Sequence, residues 1–241
     1  MPKVFFAKWT LLAILLHYTI TMNAQSHNEQ TLTAQQRSIV SISALTATGD
    51  LEKLKVQLNT GLDSGLTVSE IKEVLVQLYA YCGFPRSLNG INTFMAVIAD
   101  RTGKGIKDVA GKDASPILAG DKYQTGKKTL QSLTGREEKA PSGANAFAPA
   151  IDTFLKEHLF ADIFSRDVLD YQQRELVTVS ALAAMSGVAP QLQAHIGMAI
   201  NTGLKTEQLQ EAFAIIHDTI GKTEGDLARS ILKNLANGRA K

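Results

Sequence analysis

A histidine and a glutamate in the second half of the chain are the pair best suited to moving protons. His195 carries a side chain whose unperturbed pKa lies near neutrality, so it can serve as general acid and general base. Glu175 could orient such a histidine and stabilise its charged form. Each residue also has a structural interpretation. Glu175 can complement the dipole of a helix start, and His195 can be a satisfied, partly buried histidine. Both are candidate catalytic residues.

Four further residues are candidates for binding or reacting with a small molecule. Arg86 could hold a substrate carboxylate in a bidentate grip, and Tyr81 and His217 are candidate binding residues beside it. Cys82 is the single cysteine of the chain. It is either a small buried apolar residue or a reactive free thiol, which makes it a third candidate catalytic residue. The histidines show no metal-ligand spacing, so we expect neither a metal nor another cofactor.

An internal repeat organises the chain. Residues 174–182 repeat the pattern of residues 37–45, and residues 195–204 repeat the pattern of residues 57–66, with one residue inserted near Ser186. Self-similarity of this kind indicates a duplicated structural unit, and the period is far too long for a solenoid. The repeat therefore predicts two copies of one small helical domain packed against each other.

Each copy lacks functional residue types that the other keeps. Glu175 and His195 align with Ser38 and Gln57 of the first copy. Conversely, the first-copy residues Tyr81, Cys82 and Arg86 align with Thr219, Ile220 and Glu224. We therefore expect one composite site where the copies face each other. The second copy would supply the acid–base residues, and the first would supply a cationic and tyrosyl wall.

Helical patterns run through the chain, and no alternating strand pattern of useful length appears. Residues 33–48 suit a buried helix, although their Val, Ile, Thr and Ser content leaves a strand open. Their counterpart at 176–185 is rich in Ala, Leu and Met and favours a helix. Thr67 and Glu70 form a capping box, and Pro85 suits the first turn of a helix that restarts after a break. The expected fold class is all-α, with two tandem copies.

Composition and the positions of turn-forming residues divide the chain into four segments. Residues 1–24 have a charged start, a short apolar run and a small final residue, which is typical of a cleaved signal peptide. Residues 25–115 form the first repeat, 116–150 a linker and 151–241 the second repeat. We expect an exported protein, periplasmic or secreted, without membrane attachment after cleavage. The net charge of +2 without a basic run gives no reason to expect nucleic acid.

A family resemblance rests on residues 61–89, which carry a glycine-leucine-threonine turn, then glutamate-isoleucine, tyrosine, glycine-x-proline and leucine-asparagine. Further elements of the same pattern are Arg174-Glu175-Leu176, His195, Gly203-Leu204 and Glu211. Together these residues resemble the carboxymuconolactone decarboxylase family. The resemblance implies an all-α fold related to alkylhydroperoxidase D and helical domains assembled into homo-oligomers. It also implies either decarboxylase or thiol-peroxidase chemistry.

The chain departs from the peroxidase branch of that family, in which a C-x-x-C pair precedes the histidine. The corresponding positions are Val188 and Gln191 in the second copy, and Asp50 and Lys53 in the first. A dithiol peroxidase needs a nucleophilic thiolate and a resolving thiol. A peroxidase mechanism would therefore need Cys82 together with an external thiol.

The resemblance implies acid–base decarboxylation or isomerisation of a small carboxylated lactone or related organic acid. Loss of carbon dioxide leaves electron density that must be protonated, and His195 with Glu175 would perform that step. Two alternatives remain open. The first is a thiol-dependent peroxidase or antioxidant activity using Cys82. The second is a non-enzymatic helical binding protein that has kept the fold and lost the chemistry.

Overall fold

The computed structural model describes residues 31–117 and 119–239, and all regular structure within these residues is helical. The elements in chain order are α1 (Ala34–Thr48), α2 (Leu51–Asp63), α3 (Val68–Gly103), α4 (Lys122–Thr134), α5 (Ala144–Phe147), α6 (Pro149–Thr153), a π-helix (Phe154–Ile163), α7 (Tyr171–Ala183), α8 (Ala189–Asn201), α9 (Thr206–Thr219) and α10 (Lys222–Arg239). The predicted all-α fold class is confirmed. The predicted signal peptide, residues 1–24, lies outside the described residues.

Local capping signals explain where the helices begin and end. At the start of α1 the Thr33 side chain accepts from the Gln36 amide, and the Gln36 side chain accepts from the Thr33 amide. This reciprocal capping box satisfies two of the amides that a helix start leaves unpaired. The box predicted at Thr67 and Glu70 opens α3 in the same way. Residues 34–48 are therefore a helix, as predicted, and the strand alternative is wrong.

A kink divides α3 into two parts. Gly83 has φ 82° and ψ 159°, and this backbone conformation disfavours residues with a side chain. Pro85 lies in the turn that follows, where its missing N–H removes no helical hydrogen bond. The predicted helix break is confirmed. Because Tyr81 and Cys82 immediately precede the kink, they occupy the last turn of the first part of α3.

The two sequence repeats form two similar helical units that share one core. Helices α1, α2 and the first part of α3 correspond to α7, α8 and α9, and the second part of α3 corresponds to α10. Helices α1 and α7 pack against each other at the centre. Ten consecutive residues are buried in each of these helices. The apolar side chains of both copies form a single buried cluster, so the copies are one folded body.

Residues 116–150, predicted as a linker, contain helices α4 and α5 and are tied to the second copy. Helix α4 packs along the π-helix. A Cβ atom at Gly126 would lie 1.8 Å from the Lys156 carbonyl oxygen, so this close approach requires glycine. The buried Lys156 ammonium pairs with Asp152 at 2.6 Å and also with Glu138. None of the helices in the described ranges combines the length and apolar composition needed to cross a bilayer.

An arginine–glutamate pair crosses between the copies twice, in related positions. On one side Arg174 of α7 meets Glu73 of α3 at 2.9 Å, with side chains 0% and 3% exposed. Arg166 meets the same carboxylate at 2.7 Å. On the other side Arg37 of α1 meets Glu211 of α9 at 2.6 Å, with side chains 50% and 24% exposed. One pair is therefore dry and the other hydrated.

This difference predicts unequal effects of the same substitution in the two copies. Glu73→Gln removes the charge that compensates the buried Arg174, so it should lower the free energy of unfolding by about 3–5 kcal/mol. Its counterpart Glu211→Gln should lower it by at most about 1 kcal/mol, because an exposed pair contributes little. Urea unfolding of both variants beside the wild type measures the two losses. Equal losses would contradict the distinction between a dry and a hydrated pair.

The dry pair also predicts a dependence of stability on pH. Burial alone would raise the pKa of Glu73, but hydrogen bonds and charges from Arg166 and Arg174 outweigh it and hold that pKa below the ordinary 4.5. The unfolded chain therefore takes up this proton first as pH falls, and folding loses free energy. The stabilisation by Glu73 is complete above the ordinary value and disappears as pH falls through the folded-state pKa. Urea titrations should show the gap between wild type and Glu73→Gln shrinking from about pH 6 to about pH 3. A constant gap would mean that the Glu73 charge is not responsible.

Candidate active site

Glu175 and His195 meet in the interior of the second copy. Helix α7 carries Glu175 and helix α8 carries His195. The His195 Nδ1 atom lies 2.9 Å from Glu175 Oε2. The Glu175 side chain is fully buried, and that of His195 is 9% exposed. An ionised carboxylate can only accept, so Nδ1 carries the hydrogen and the tautomer is fixed. Within the described chain Nε2 forms no hydrogen bond.

Tyr81 of the first copy completes this site. Its ring meets the His195 ring edge-on, with centroids 5.5 Å apart and an interplanar angle of 80°. The Tyr81 hydroxyl group is buried without a partner in normal hydrogen-bond geometry. Burial and then the Glu175 charge raise the pKa of Tyr81, and smaller effects of Thr178 and Arg174 oppose them. The phenol therefore stays protonated and can donate a hydrogen bond.

Two buried oxygens in this region have unused hydrogen-bonding capacity: Tyr81 Oη and Glu175 Oε1. Such groups are uncommon in folded proteins, and each costs about 1–3 kcal/mol of stability. The first can donate, the second can accept, and Nε2 of His195 can carry a proton. Together the three groups can donate, accept and transfer a proton within a poorly hydrated environment.

The related position in the other half of the molecule lacks this chemistry. Ser38, the counterpart of Glu175, donates to the Ala34 carbonyl oxygen at 3.1 Å and contacts the Ser64 hydroxyl at 3.2 Å. Gln57 and Thr219 occupy the positions of His195 and Tyr81. The structure thus brings Glu175, His195 and Tyr81 together on one side only, with residues from both copies, which is the composite arrangement that the sequence suggested.

Arg86 and His217 lie apart from this group. Arg86 is exposed, and its Nη1 donates to the carbonyl oxygen of Ala47 at the end of α1. A cation at a helix C-terminus satisfies an unpaired carbonyl and complements the dipole. His217 Nδ1 lies 2.9 Å from Asp218 Oδ1 on the surface of α9. Among the described residues neither side chain contacts His195, and the carboxylate grip expected of Arg86 stays a prediction.

Cys82 sits beside Tyr81 in α3, in a setting that disfavours the thiolate. Its Sγ atom donates to the Leu78 carbonyl oxygen at 3.2 Å. The side chain is half-buried, and burial raises the pKa of Cys82, against a smaller lowering by Arg86. A raised pKa reduces the fraction of thiolate, which is the reactive form. No second cysteine is present in the sequence to resolve an oxidised sulfur.

The residues that hold the site in place were missed at the level of sequence. Gln77 is fully buried and makes three hydrogen bonds to α7: it accepts from Arg174 Nη1 at 2.8 Å, and its amide donates to the Arg174 carbonyl oxygen at 2.8 Å and to Thr178 Oγ1 at 3.0 Å. The repeat did contain a signal, because Gln77 aligns with Ile215. A polar residue in one copy that aligns with an apolar residue in the other marks a position where the two interfaces differ.

Two cavities lie outside this group. One of about 360 Å³ separates α3 from the π-helix and is lined mainly by aromatic and aliphatic residues, including Tyr79, Phe84 and Phe154. The other, of about 380 Å³, lies along α8 and includes Arg136 and Gln193. Neither lining includes Glu175 or His195. No group of three potential metal ligands occurs in the part of the chain that the structure describes.

Comparison with known proteins agrees with the repeat and the fold. The model of the carboxymuconolactone decarboxylase family matches twice, over residues 15–94 and 149–232. The second match contains both Glu175 and His195, and the first contains Tyr81. No curated protein matches the chain. With two matches that together cover most of its length, the chain belongs to the carboxymuconolactone decarboxylase family, as two tandem copies.

Proposed function

We propose that the protein is an enzyme that decarboxylates or isomerises a small carboxylated lactone or a related organic acid by acid–base chemistry. One observation carries the proposal. A buried glutamate–histidine pair meets the ring of a tyrosine from the other copy whose hydroxyl group is buried, and within the described residues the second histidine nitrogen forms no hydrogen bond. In this proposal His195 is the catalytic acid and base, Glu175 orients it, and Tyr81 donates to the substrate.

For decarboxylation, the bond between carbon and the carboxylate breaks and carbon dioxide leaves. The electron pair passes into the unsaturated lactone carbonyl as an enolate. Tyr81 donates a hydrogen bond to the enolate oxygen, and the protonated Nε2 of His195 delivers its proton to carbon. His195 then regains a proton from solvent. Isomerisation uses the same groups, since Nε2 removes a proton from one carbon and returns it to another.

Burial makes these groups more effective than they would be in water. Charge that develops on a substrate oxygen is poorly screened inside the protein, so a fixed donor such as Tyr81 stabilises it strongly. Glu175 stabilises the charged imidazole in the same way and holds the ring in one orientation. Neither group must reorganise during the reaction, because helices α3, α7 and α8 hold all three residues.

The setting of the enzyme is also part of the proposal. On the pattern of residues 1–24 alone, we propose export to the periplasm or the medium, so that the substrate is met outside the cytoplasm. We also propose that the protein assembles into a homo-oligomer, and membership of the family supports this. The modest net charge of +2 gives no reason to add a nucleic-acid partner.

The central prediction concerns His195. With carboxymuconolactone as the probe, His195→Gln should lower kcat for carbon dioxide release about 10²–10⁴-fold, because the proton donor is lost. Proton transfer is followed separately as solvent deuterium entering the product, detected by NMR. The control is His217→Gln, which changes a partly exposed histidine whose Nδ1 lies 2.9 Å from Asp218 Oδ1. Equal turnover in wild type and His195→Gln would reject the proposed mechanism and leave the binding-protein alternative.

Cys82 distinguishes the proposed acid–base mechanism, which does not use it, from the thiol-peroxidase alternative, which requires it. Since burial raises its pKa, the native thiol should react with a disulfide reagent at pH 8 much more slowly than in the guanidinium-unfolded chain. Cys82→Ala should release carbon dioxide at the wild-type rate. A fast-reacting native thiol, together with peroxide reduction that Cys82→Ala abolishes, would favour the thiol mechanism instead.

A further inference from the structure

Gln77 is a buried polar link between α3 and α7, close to the proposed active site on both helices. Along α3 it precedes Tyr81 by one turn, and it bonds to Arg174, the residue before Glu175 on α7. Side chains four apart on a helix lie on the same face. The position of α3 against α7 at Gln77 therefore determines how the Tyr81 side chain meets those of Glu175 and His195.

The hydrogen bonds of Gln77 fix both the rotation and the axial position of α3 on α7. Its amide oxygen accepts from the Arg174 side chain, and its amide nitrogen donates to the Arg174 backbone carbonyl and to the Thr178 hydroxyl. A backbone carbonyl cannot swing away as a side chain can. An apolar residue would pack in the same space without specifying either coordinate, since hydrophobic contact is non-directional.

The related interface shows what the fold alone requires. There α9 packs on α1, and the position of Gln77 is taken by Ile215, which is half-buried against the core. The two helices are still held together, although that side lacks the acid–base residues. An isoleucine is thus sufficient for packing, and the amide occurs on the side where Glu175, His195 and Tyr81 meet.

We propose that Gln77 is a positioning residue for the active site: it holds Tyr81 of one copy in register with the Glu175–His195 pair of the other. This inference rests on the proposed function for its kinetic consequence. Its geometric consequence, the placement of the Tyr81 ring against His195, can be measured independently of any activity.

The geometric test uses NMR of the histidine rings in the full chain. The Tyr81 ring, 5.5 Å from His195, shifts the His195 ring resonances, which are identified by their loss in His195→Gln. Gln77→Met should move these resonances toward their positions in Tyr81→Leu, a variant without the ring. The matched control is Ile215→Met, which places the same residue at the related position and should leave them unchanged. Unmoved His195 resonances in folded Gln77→Met overturn the proposal.

The kinetic test separates positioning from stability. With carboxymuconolactone as the probe, Gln77→Met should lower kcat about 10–100-fold with little change in KM, as expected for a displaced reacting group. On a Tyr81→Phe background the same change should have little further effect, because Gln77 acts through Tyr81. Fully additive losses overturn the proposal. If wild type and His195→Gln are equally inactive, the proposed function fails, and the NMR result alone decides the role of Gln77.

A second variant covers the case in which Gln77→Met does not fold. Thr178→Val keeps the shape of the side chain and removes one of the three hydrogen bonds of Gln77. It also removes the hydroxyl group that donates to the Arg174 carbonyl oxygen and acts on the Tyr81 hydroxyl group. The variant is therefore compared with its parent on a Tyr81→Phe background, which keeps the ring and lacks that hydroxyl group. It should shift the His195 resonances in the same direction by a smaller amount. Gln77→Glu keeps an acceptor for Arg174 but loses the two hydrogen bonds that the Gln77 amide nitrogen donates, so its His195 resonances should lie between those of wild type and Tyr81→Leu. Wild-type positions in both variants would mean that packing alone positions Tyr81, and this result would overturn the proposal.

Discussion

The buried guanidinium group of Arg174 is the constraint on which the rest of the site depends. A charge removed from water must be compensated by close partners, since an isolated one would be very unfavourable. Arg174 donates to Glu73 and Gln77 of the first copy and to the Arg166 carbonyl oxygen of its own. Its burial lowers its pKa, against the opposing effect of Glu73. The first copy must therefore supply two partners at one place, and this requirement fixes how the copies dock.

The duplicated architecture shows which features the fold needs and which the site needs. Both interfaces keep an arginine–glutamate pair, but only the pair at Glu73 and Arg174 is dry. A hydrated pair such as Arg37 and Glu211 tolerates small shifts, because water replaces any lost contact. A dry pair does not. The interface with directional contacts is also the one that carries Glu175 and His195, so geometric precision and chemistry occur on the same side.

Local signals in the sequence predicted the helices and part of the site. These signals were the capping residues, the break at Gly83 and the internal repeat. Each is visible within a short segment or in a comparison of the sequence with itself, so no coordinates were needed. The alignment also suggested that Tyr81 would face His195, because each copy lacked what the other retained. The contact that Arg86 makes could not be predicted, because it depends on tertiary structure. Its partner is the carbonyl group of Ala47, and nothing in the sequence near Arg86 shows that the end of α1 lies there.

Non-local packing also explains what the sequence did not reveal about residues 116–163. The spacing of apolar residues that indicates a helix does not distinguish the wider turns of a π-helix from those of an α-helix. Lys156 looks like an ordinary surface residue until α4 covers it, and its burial depends on acidic partners elsewhere in the segment. The approach of Gly126 to the Lys156 backbone belongs to the same contact. These features are properties of two segments together, so neither segment alone predicts them.

The unsatisfied oxygens at the site support a functional interpretation over a structural one. If Glu175 only stabilised the fold, a smaller residue with satisfied hydrogen bonds would serve better, and Ser38 shows that such a residue fits the related position. Instead, among the described residues, Glu175 keeps one buried oxygen without a partner, and the Tyr81 hydroxyl group beside the His195 ring has none in normal hydrogen-bond geometry. Local rules are broken in folded proteins mainly where function requires it. The described residues contain two further buried polar atoms without a partner, Arg174 Nε and Ser43 Oγ. The oxygens of Glu175 and Tyr81 differ from these because both belong to residues that contact the His195 side chain, where a substrate would use them.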